Sequence, residues 1–469
     1  MAVTIVWLRR DLRLTDHPAL LAAAARGAVV PVFIRDFAMD EVGAAARMRW
    51  GMSLAALADD LAAVGSRLLL RSGPALEVLR ELVSETGADA VYWSRLYDPA
   101  AVERDIRVKS GLKGDGIVAK SFGGHVLFEP WDVETQAGGP YRVYTPFWKA
   151  VKDRDVPEAR ATPSELCAPD VWPAGEDLDG WALGAAMRRG GDVLRKYAVV
   201  GQGAASQRLA TFIRHRVDGY KADRDRVDME ATSGLSENLT YGEISPYQCW
   251  AAGVAARDGG KAGAEHFLKE LVWREFAYHL LHHFPTLPEE NFREGWDDFP
   301  WNGDADSDVV MAWKQGRTGV PFVDAAMREM YVTGRMHNRA RMIVASYLTK
   351  HLLCHWRIGM DWFADCLSDW DPASNAMGWQ WVAGSGPDAA PYFRVFNPDT
   401  QAEKFDPMGA YRRAWIAEGQ GAPPDTALDY FAAVPRVWGL SAQDEYPDPV
   451  VGLAEGRDRA LAAYKARND

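Results

Sequence analysis

Two periodicities alternate along the first 130 residues. Short β-branched and aromatic runs recur at Thr4–Leu8, Val29–Ile34, Arg67–Leu70, Ala90–Trp93 and Ile117–Ser121. Between them lie Ala- and Leu-rich stretches with apolar positions every three or four residues, at Pro18–Arg26, Arg47–Val64 and Pro74–Thr86. Strand–helix alternation of this kind predicts a parallel sheet flanked by helices. The periodicity fades over residues 131–200, where Gln136-Ala-Gly-Gly-Pro140, Pro163, Pro169, Pro173 and Gly190-Gly191 predict a long connection, only partly helical, packed over the surface. From residue 201 onward the spacing is helical, at Gln207–Tyr220, Gly263–Phe284, Asp308–Lys314, Phe322–Val332, Asn338–Leu353 and Met360–Leu367. The fold class is α/β plus all-α, in three parts: a parallel, Rossmann-like α/β domain (1–130), an interdomain linker (131–200) and a helical domain (201–469). The end, Ala460–Asp469, reads as the fraying end of a helix.

Composition changes this picture at three points. Trp, at 19, outnumbers Phe at 17 and Tyr at 16, although it is usually the rarest of the three. The net charge is −12, which argues against a surface coated in basic residues and hence against a general nucleic-acid binder. That charge is uneven: residues 1–130 carry 16 basic and 16 acidic side chains, 131–200 carry 9 and 11, and the remaining −10 falls in the helical part. The four cysteines, Cys167, Cys249, Cys354 and Cys366, form no C-x-x-C pair, so they read as small reduced core residues and no metal site is expected. Arg9, Arg10 and Arg13 break the first apolar run, and no stretch of about 18 apolar residues follows, so neither a leader nor a membrane span is expected and the cytoplasm is the expected compartment.

Candidate chemistry concentrates in residues 220–400. Gly201-Gln-Gly203-Ala-Ala-Ser206 lacks the third glycine and the preceding strand of a dinucleotide loop, so it reads as a helix start. Thr232-Ser-Gly-Leu-Ser236 offers small hydroxyls that suit either a phosphate or a helix cap. In Glu270-Leu-Val-Trp-Arg-Glu-Phe276, residues Glu270, Trp273 and Arg274 share one helix face, and the Glu270–Arg274 spacing fits a salt bridge or a pocket wall. Residues 321–350 hold five basic and two acidic side chains, a local positive island around Thr333-Gly-Arg-Met-His-Asn-Arg-Ala-Arg-Met342. It fits a phosphate grip or a basic helix balancing acidic neighbours. Asp369-Trp-Asp-Pro-Ala-Ser-Asn-Ala-Met-Gly-Trp-Gln-Trp381 and Pro391-Tyr-Phe-Arg-Val-Phe-Asn-Pro398 add an aromatic density that core packing alone accounts for poorly.

Taken in order, the opening VWLRRDLRLTDHPAL, then TSGLS, ELVWREF, MHNRARM, GWQW and PDAAPYFRVFNP resemble the photolyase/cryptochrome family over essentially the whole chain, with a pattern similar to bacterial cyclobutane pyrimidine dimer photolyases. The resemblance implies an α/β antenna domain, a linker and a helical domain holding FAD in a U-shape. It implies a light-driven enzyme in which reduced FAD lends an electron to a flipped-out dimer in UV-damaged DNA. FAD contacts then fall on Tyr220, Thr232, Ser233, Leu235 and Ser236 around the phosphates, and on Arg274, Arg341, Asp369, Asp371 and Asn375, with Asn375 facing the flavin N5. The dimer pocket maps to Glu270, Trp273, Asn338, Met342 and Trp381, with Arg224, Arg339 and Arg394 as backbone or dimer-flanking contacts. Trp379, Trp356 and Trp301 resemble the family's electron relay. Several members carry Trp where this chain has Phe267, Arg335 stands where an aromatic residue is common, and Ala101 stands where many folate-binding members carry an acid. A methenyltetrahydrofolate antenna, a deazaflavin or none all remain open. A monomer is expected. The alternatives are a cryptochrome-like light sensor and a (6-4) photolyase, which usually carries paired His where this chain has His337-Asn338.

Overall fold

The computed structural model describes residues 2–389 and 393–467. Part of the PDAAPYFRVFNP motif, Ala390–Tyr392, and the end of the C-terminal segment, Asn468 and Asp469, lie outside the described residues. Five parallel strands form one sheet, β1 (Ala2–Leu8), β2 (Gly27–Arg35), β3 (Leu69–Ser72), β4 (Ala90–Ser94) and β5 (Val118–Phe122), in the order β3-β2-β1-β4-β5. Each falls within two residues of its expected position. The core strands are buried on both faces: Ile5 and Trp7 pack into one apolar cluster, Val6 and Leu8 into another. Besides the three expected helices, Pro99–Gly114 stands between β4 and β5, its first turn capped by Asp98.

The strand order reverses at β1, and in open α/β sheets that is where a ligand crevice forms. Here the loop leaving β1 docks on the helical part instead. Leu12 N–H donates to Tyr241 O at 3.0 Å and Arg13 Nη1 to Gly242 O at 2.9 Å. Gly242 has φ of +67°, and a Cβ there would lie 2.2 Å from Arg10 O, so the close approach and the left-handed backbone both require glycine. Arg49 and Glu243, both fully buried, form a 2.7 Å ion pair across the same junction. Removing one partner of such a pair costs about 3–5 kcal/mol.

The connection is partly helical, at Tyr144–Val151 and Gly190–Arg195. Beyond it, the helix expected at Gln207–Tyr220 starts earlier and stops earlier, at Gln202–His215, and the one expected at Met360–Leu367 starts at Trp356 and ends at Cys366. The Gly201 segment is indeed a helix start. The expected Asn338–Leu353 helix runs only to Ser346. A π-helical turn follows over Tyr347–His351, and Leu353 takes a φ of 50°. The wider turn seats the Leu453–Ala466 helix, whose Gly456 comes so close that a Cβ would lie 3.0 Å from His351 Cα. Three cysteines are buried as expected, but Cys167 is exposed: its carbonyl accepts from Val29 N–H, placing it on the surface strap along the sheet.

The long Ala264–His283 helix holds the connection through its histidines. His279 Nε2 accepts from Tyr141 N–H at 3.0 Å, and His283 Nε2 lies 3.2 Å from Pro130 O. Burial pushes His279 down to about 4, and the neighbouring His283 adds to this. The folded chain therefore binds fewer protons here than the unfolded chain, and this contribution to stability is lost as pH falls from 6.5 towards 4. His279→Gln keeps an acceptor in reach of Tyr141 but cannot take the proton. Its thermal midpoint should fall less steeply than the wild type's over that window, and identical slopes would show that His279 does not set the acid limit.

Candidate functional site

One large cavity, about 1760 Å³, opens among the helices of the second half. Three segments build its walls. The Ala264–His283 helix buries Leu268, Leu271, Val272 and Phe276 and turns the intervening Glu270, Trp273 and Arg274 to the cavity. The Pro372–Ala383 helix, with Asp371 as its N-cap accepting from Ser374 N–H at 2.8 Å, presents Asn375, Trp379 and Trp381. The Asn338–Ser346 helix, capped by His337, presents Asn338, Arg341 and Met342. Thr232–Ser236 closes one end.

Every residue expected to contact FAD lines this cavity, as do Glu270, Trp273, Asn338, Met342, Trp381, Arg224 and Arg339 of the dimer set. Arg394 does not. It lines a separate cavity of about 40 Å³ on the far side of Trp381, where Lys350 Nζ donates to its carbonyl. Of the two readings of Glu270 and Arg274, the pocket wall is realised and the salt bridge is not. Glu270 pairs with Arg224, whereas Arg274 donates to His125 O at 2.8 Å and lies 3.3 Å from Glu275. Helical spacing made the first pair possible, but the actual partner comes from 46 residues away.

The positive island is also neutralised. Arg328 pairs with Glu418 at 2.6 Å, Arg335 with Glu237 at 3.1 Å, Arg339 with Asp225 at 2.5 Å and Arg341 with Asp369 at 2.7 Å. Lys350 is buried, and burial pushes it down to about 7. These ion pairs fit the reading of a basic helix balanced by acidic neighbours, and the guanidinium groups of Arg335, Arg339 and Arg341 still line the cavity.

Polar groups in the cavity are oriented but underused. Arg341 also donates from Nε to Met336 O at 2.8 Å, which fixes its guanidinium against Asp369. Asn375 Nδ2 donates to Met360 O at 3.1 Å. His337 Nδ1 accepts from Arg339 N–H, and burial pushes the ring down to about 4, so it is neutral at pH 7. The hydroxyls of Thr232, Ser233 and Ser236 make no hydrogen bond among the described residues, and no side chain caps the short Ser236–Thr240 helix. Buried Trp379 Nε1 and His337 Nε2 likewise lack a partner. The volume exceeds the ~300–1,000 Å³ of a site for a drug-sized ligand. A dinucleotide with a flat ring system and two phosphates fits both the space and the idle donors.

Two aromatic features complete the site. Trp273 stacks on Tyr144 from the connection, centroids 3.7 Å apart at 5°, which leaves one indole face for a ligand. Sequence reasoning missed Tyr144, although the aromatic spacing of Tyr141, Tyr144, Phe147 and Trp148 was a signal for it. Trp379 is admitted by Gly359, where a Cβ would lie 2.0 Å from its ring. Trp356, on the same helix as Gly359, is fully buried and borders His355 at 5.4 Å; His355 in turn borders half-buried Trp301 at 5.2 Å. Trp379 itself borders Phe363 at 4.9 Å and Trp313 at 6.1 Å.

Family models match residues 4–165, as DNA photolyase, and residues 267–466, as the FAD binding domain of DNA photolyase. A deoxyribodipyrimidine photo-lyase of Agrobacterium fabrum is 46% identical and is covered over 98% of its length by 99% of this chain. Cryptochrome-2 of Arabidopsis thaliana is 35% identical over 97% of this chain and 77% of its own length. The crystal structure of a bacterial class III photolyase from Agrobacterium tumefaciens superposes with a TM-score of 0.90 at 44% identity, covering 100% of this chain and 98% of that one. Fold and site therefore define an FAD-holding flavoprotein. The chain belongs to the DNA photolyase family.

Proposed function

We propose that this chain repairs UV-damaged DNA by splitting cyclobutane pyrimidine dimers in light, as a deoxyribodipyrimidine photo-lyase. The observation that carries this reading is the single cavity whose walls hold both the FAD set and the dimer set, in a chain that matches photolyases over its full length. Bound FAD in its fully reduced form would supply light-driven one-electron chemistry to the dimer.

The protein's own residues do the rest. Thr232, Ser233 and Ser236 receive the phosphates, with Tyr220 and Leu235 beside them. Arg274, Arg341, Asp369, Asp371 and Asn375, which line the same cavity, would hold the ring. Photolyases are among the enzymes that extrude their target nucleotide, and a dimer already pairs poorly, so its extrusion costs less than that of a normal base. The free face of Trp273 and the indole of Trp381, whose Nε1 donates to Asp388 O at 3.1 Å, offer flat apolar surfaces to the flipped bases. Such contacts contribute about 1–3 kcal/mol per base. Asn338, with Met342 Sδ 4.0 Å from its Nδ2, borders the same opening. Glu270 accepts from the base edges, and Arg224, its partner in the free enzyme, and Arg339 stand beside it for the strand. Trp379, Trp356 and Trp301 carry electrons inward to reduce the flavin.

The division at residues 130 and 200, a monomeric state and a cytoplasmic location belong to the same proposal. The division is supported by the sheet ending at Phe122 and by the helix that starts at Gln202, and the location by four unpaired cysteines. No helix of the described residues is long and apolar enough to cross a membrane.

Prereduced holoenzyme, illuminated with a dimer-containing oligonucleotide, should restore the pyrimidines in light and not in the dark. Intact dimers after illumination would contradict the repair reading and leave a light sensor in its place. Glu270→Ala should keep its flavin yet repair roughly ten-fold less per absorbed photon, the scale of one lost charge-assisted hydrogen bond; loss of flavin instead would make Glu270 structural. Trp379→Phe should slow photoreduction of oxidised enzyme and spare repair by prereduced enzyme, whereas equal loss of both would remove it from the relay.

A further inference from the structure

Arg335 occupies a position to which the family resemblance gives no role, and Arg208 lies outside every motif. The fold brings both to the hydroxyl-lined end of the cavity. Arg208, on the Gln202–His215 helix, donates to Gly234 O and to Asn238 Oδ1 at 3.2 Å. Gly234 has φ of +63°, a left-handed backbone that favours glycine, and a Cβ there would stand 3.6 Å from Arg208 Cδ. Arg335 follows Gly334, the left-handed end of the Pro321–Thr333 helix, and its Nε lies 3.1 Å from Glu237 Oε2. Arg208 Nη1 lies 3.8 Å from the same oxygen.

Glu237 is fully buried, and its other oxygen accepts from Ser368 Oγ at 2.5 Å. It serves as a shared anchor for the two guanidinium groups. The two cations thus share this one carboxylate. Burial, and then Arg335 itself, lowers the pKa of Arg208, so the pair meets at a repulsive cost that a bound anion would relieve. Neither terminal nitrogen of Arg335 has a hydrogen-bond partner among the described residues, and both arginines line the cavity with Thr232, Ser233 and Ser236. Planar guanidinium groups present paired N–H donors in the geometry that phosphate oxygens accept.

We infer that Arg208 and Arg335, anchored on Glu237, form a clamp for the diphosphate of the dinucleotide and set the enzyme's preference for FAD over flavins with fewer phosphates. The inference rests on the proposed seat of the phosphates at Thr232–Ser236. A purely structural role, in which the arginines only neutralise Glu237, would alter folding stability without changing FAD retention.

The test follows FAD release from holoenzyme by the rise of free-flavin fluorescence, across a range of salt. Arg335→Gln and Arg208→Gln should each release FAD about ten-fold faster, with a shallower salt dependence, and Arg335→Lys should recover part of the loss. Unchanged release in both Gln variants overturns the clamp. Wild-type protein gives a second reading that needs no variant to fold. Inorganic pyrophosphate should slow FAD rebinding to flavin-stripped enzyme more than sulfate at equal ionic strength, and equal slowing overturns the clamp. Thr232→Val separates the clamp from its premise. If it loosens FAD while the arginine variants do not, the phosphate seat stands and the clamp falls; if none of them loosens FAD, both fall.

Discussion

The carboxylate of Asp371 is the point on which the site depends. It caps the helix that carries Asn375, Trp379 and Trp381, and it accepts from Tyr278 Oη on the helix that carries Glu270, Trp273 and Arg274. Tyr278 Oη lies 2.8 Å from His125 Nε2, and Arg10 from the loop after β1 comes within 3.8 Å of Asp371 Oδ2. Four chain segments, two of them from the sheet-bearing end, thus meet at one buried group. The spacing of the two helices that face each other across the cavity is fixed there. Burial and the adjacent carboxylate hold Tyr278 well above the usual phenol range, so it stays a donor. A buried hydrogen bond to a charged group contributes about 1.5–3 kcal/mol, and the unmade bond costs its full desolvation penalty.

This junction gives the α/β end a part in the helical site. The loop that leaves β1, where the strand order reverses, bears Arg10, Leu12 and Arg13 and reaches Tyr241, Gly242 and Asp371. The sheet supplies rigidity to the cavity from behind, while the Tyr144 helix of the connection supplies the backing for Trp273. The net charge of −12 is consistent with this design. The arginines near the mouth are held by carboxylates.

Elements with strong local patterns were legible in the sequence. Strands read as uninterrupted apolar runs, and the Ala264–His283 helix shows its buried positions at regular spacing. The break at Tyr347–His351 was not legible, because the packing of Gly456 against His351 imposes it from over a hundred residues away. The site residues were legible as a set only through motif resemblance. Their pairings were not. Arg224 with Glu270, Arg335 with Glu237 and Arg339 with Asp225 join residues 46, 98 and 114 positions apart, and local charge counts cannot see such partners. Arg208 carried no local signal at all, since an arginine on an amphipathic helix reads as solvated surface until the fold turns it to a cavity.

The central claim is that a fixed spacing across the cavity, set at Asp371, lets bound FAD and dimer react. The most direct measurement is the number of dimers split per absorbed photon by prereduced Tyr278→Phe holoenzyme. The account predicts full flavin occupancy with a yield several-fold below wild type, because the brace is lost while the lining groups remain. An unchanged yield at full occupancy would show that the two helices keep their spacing without this contact, and would contradict the claim.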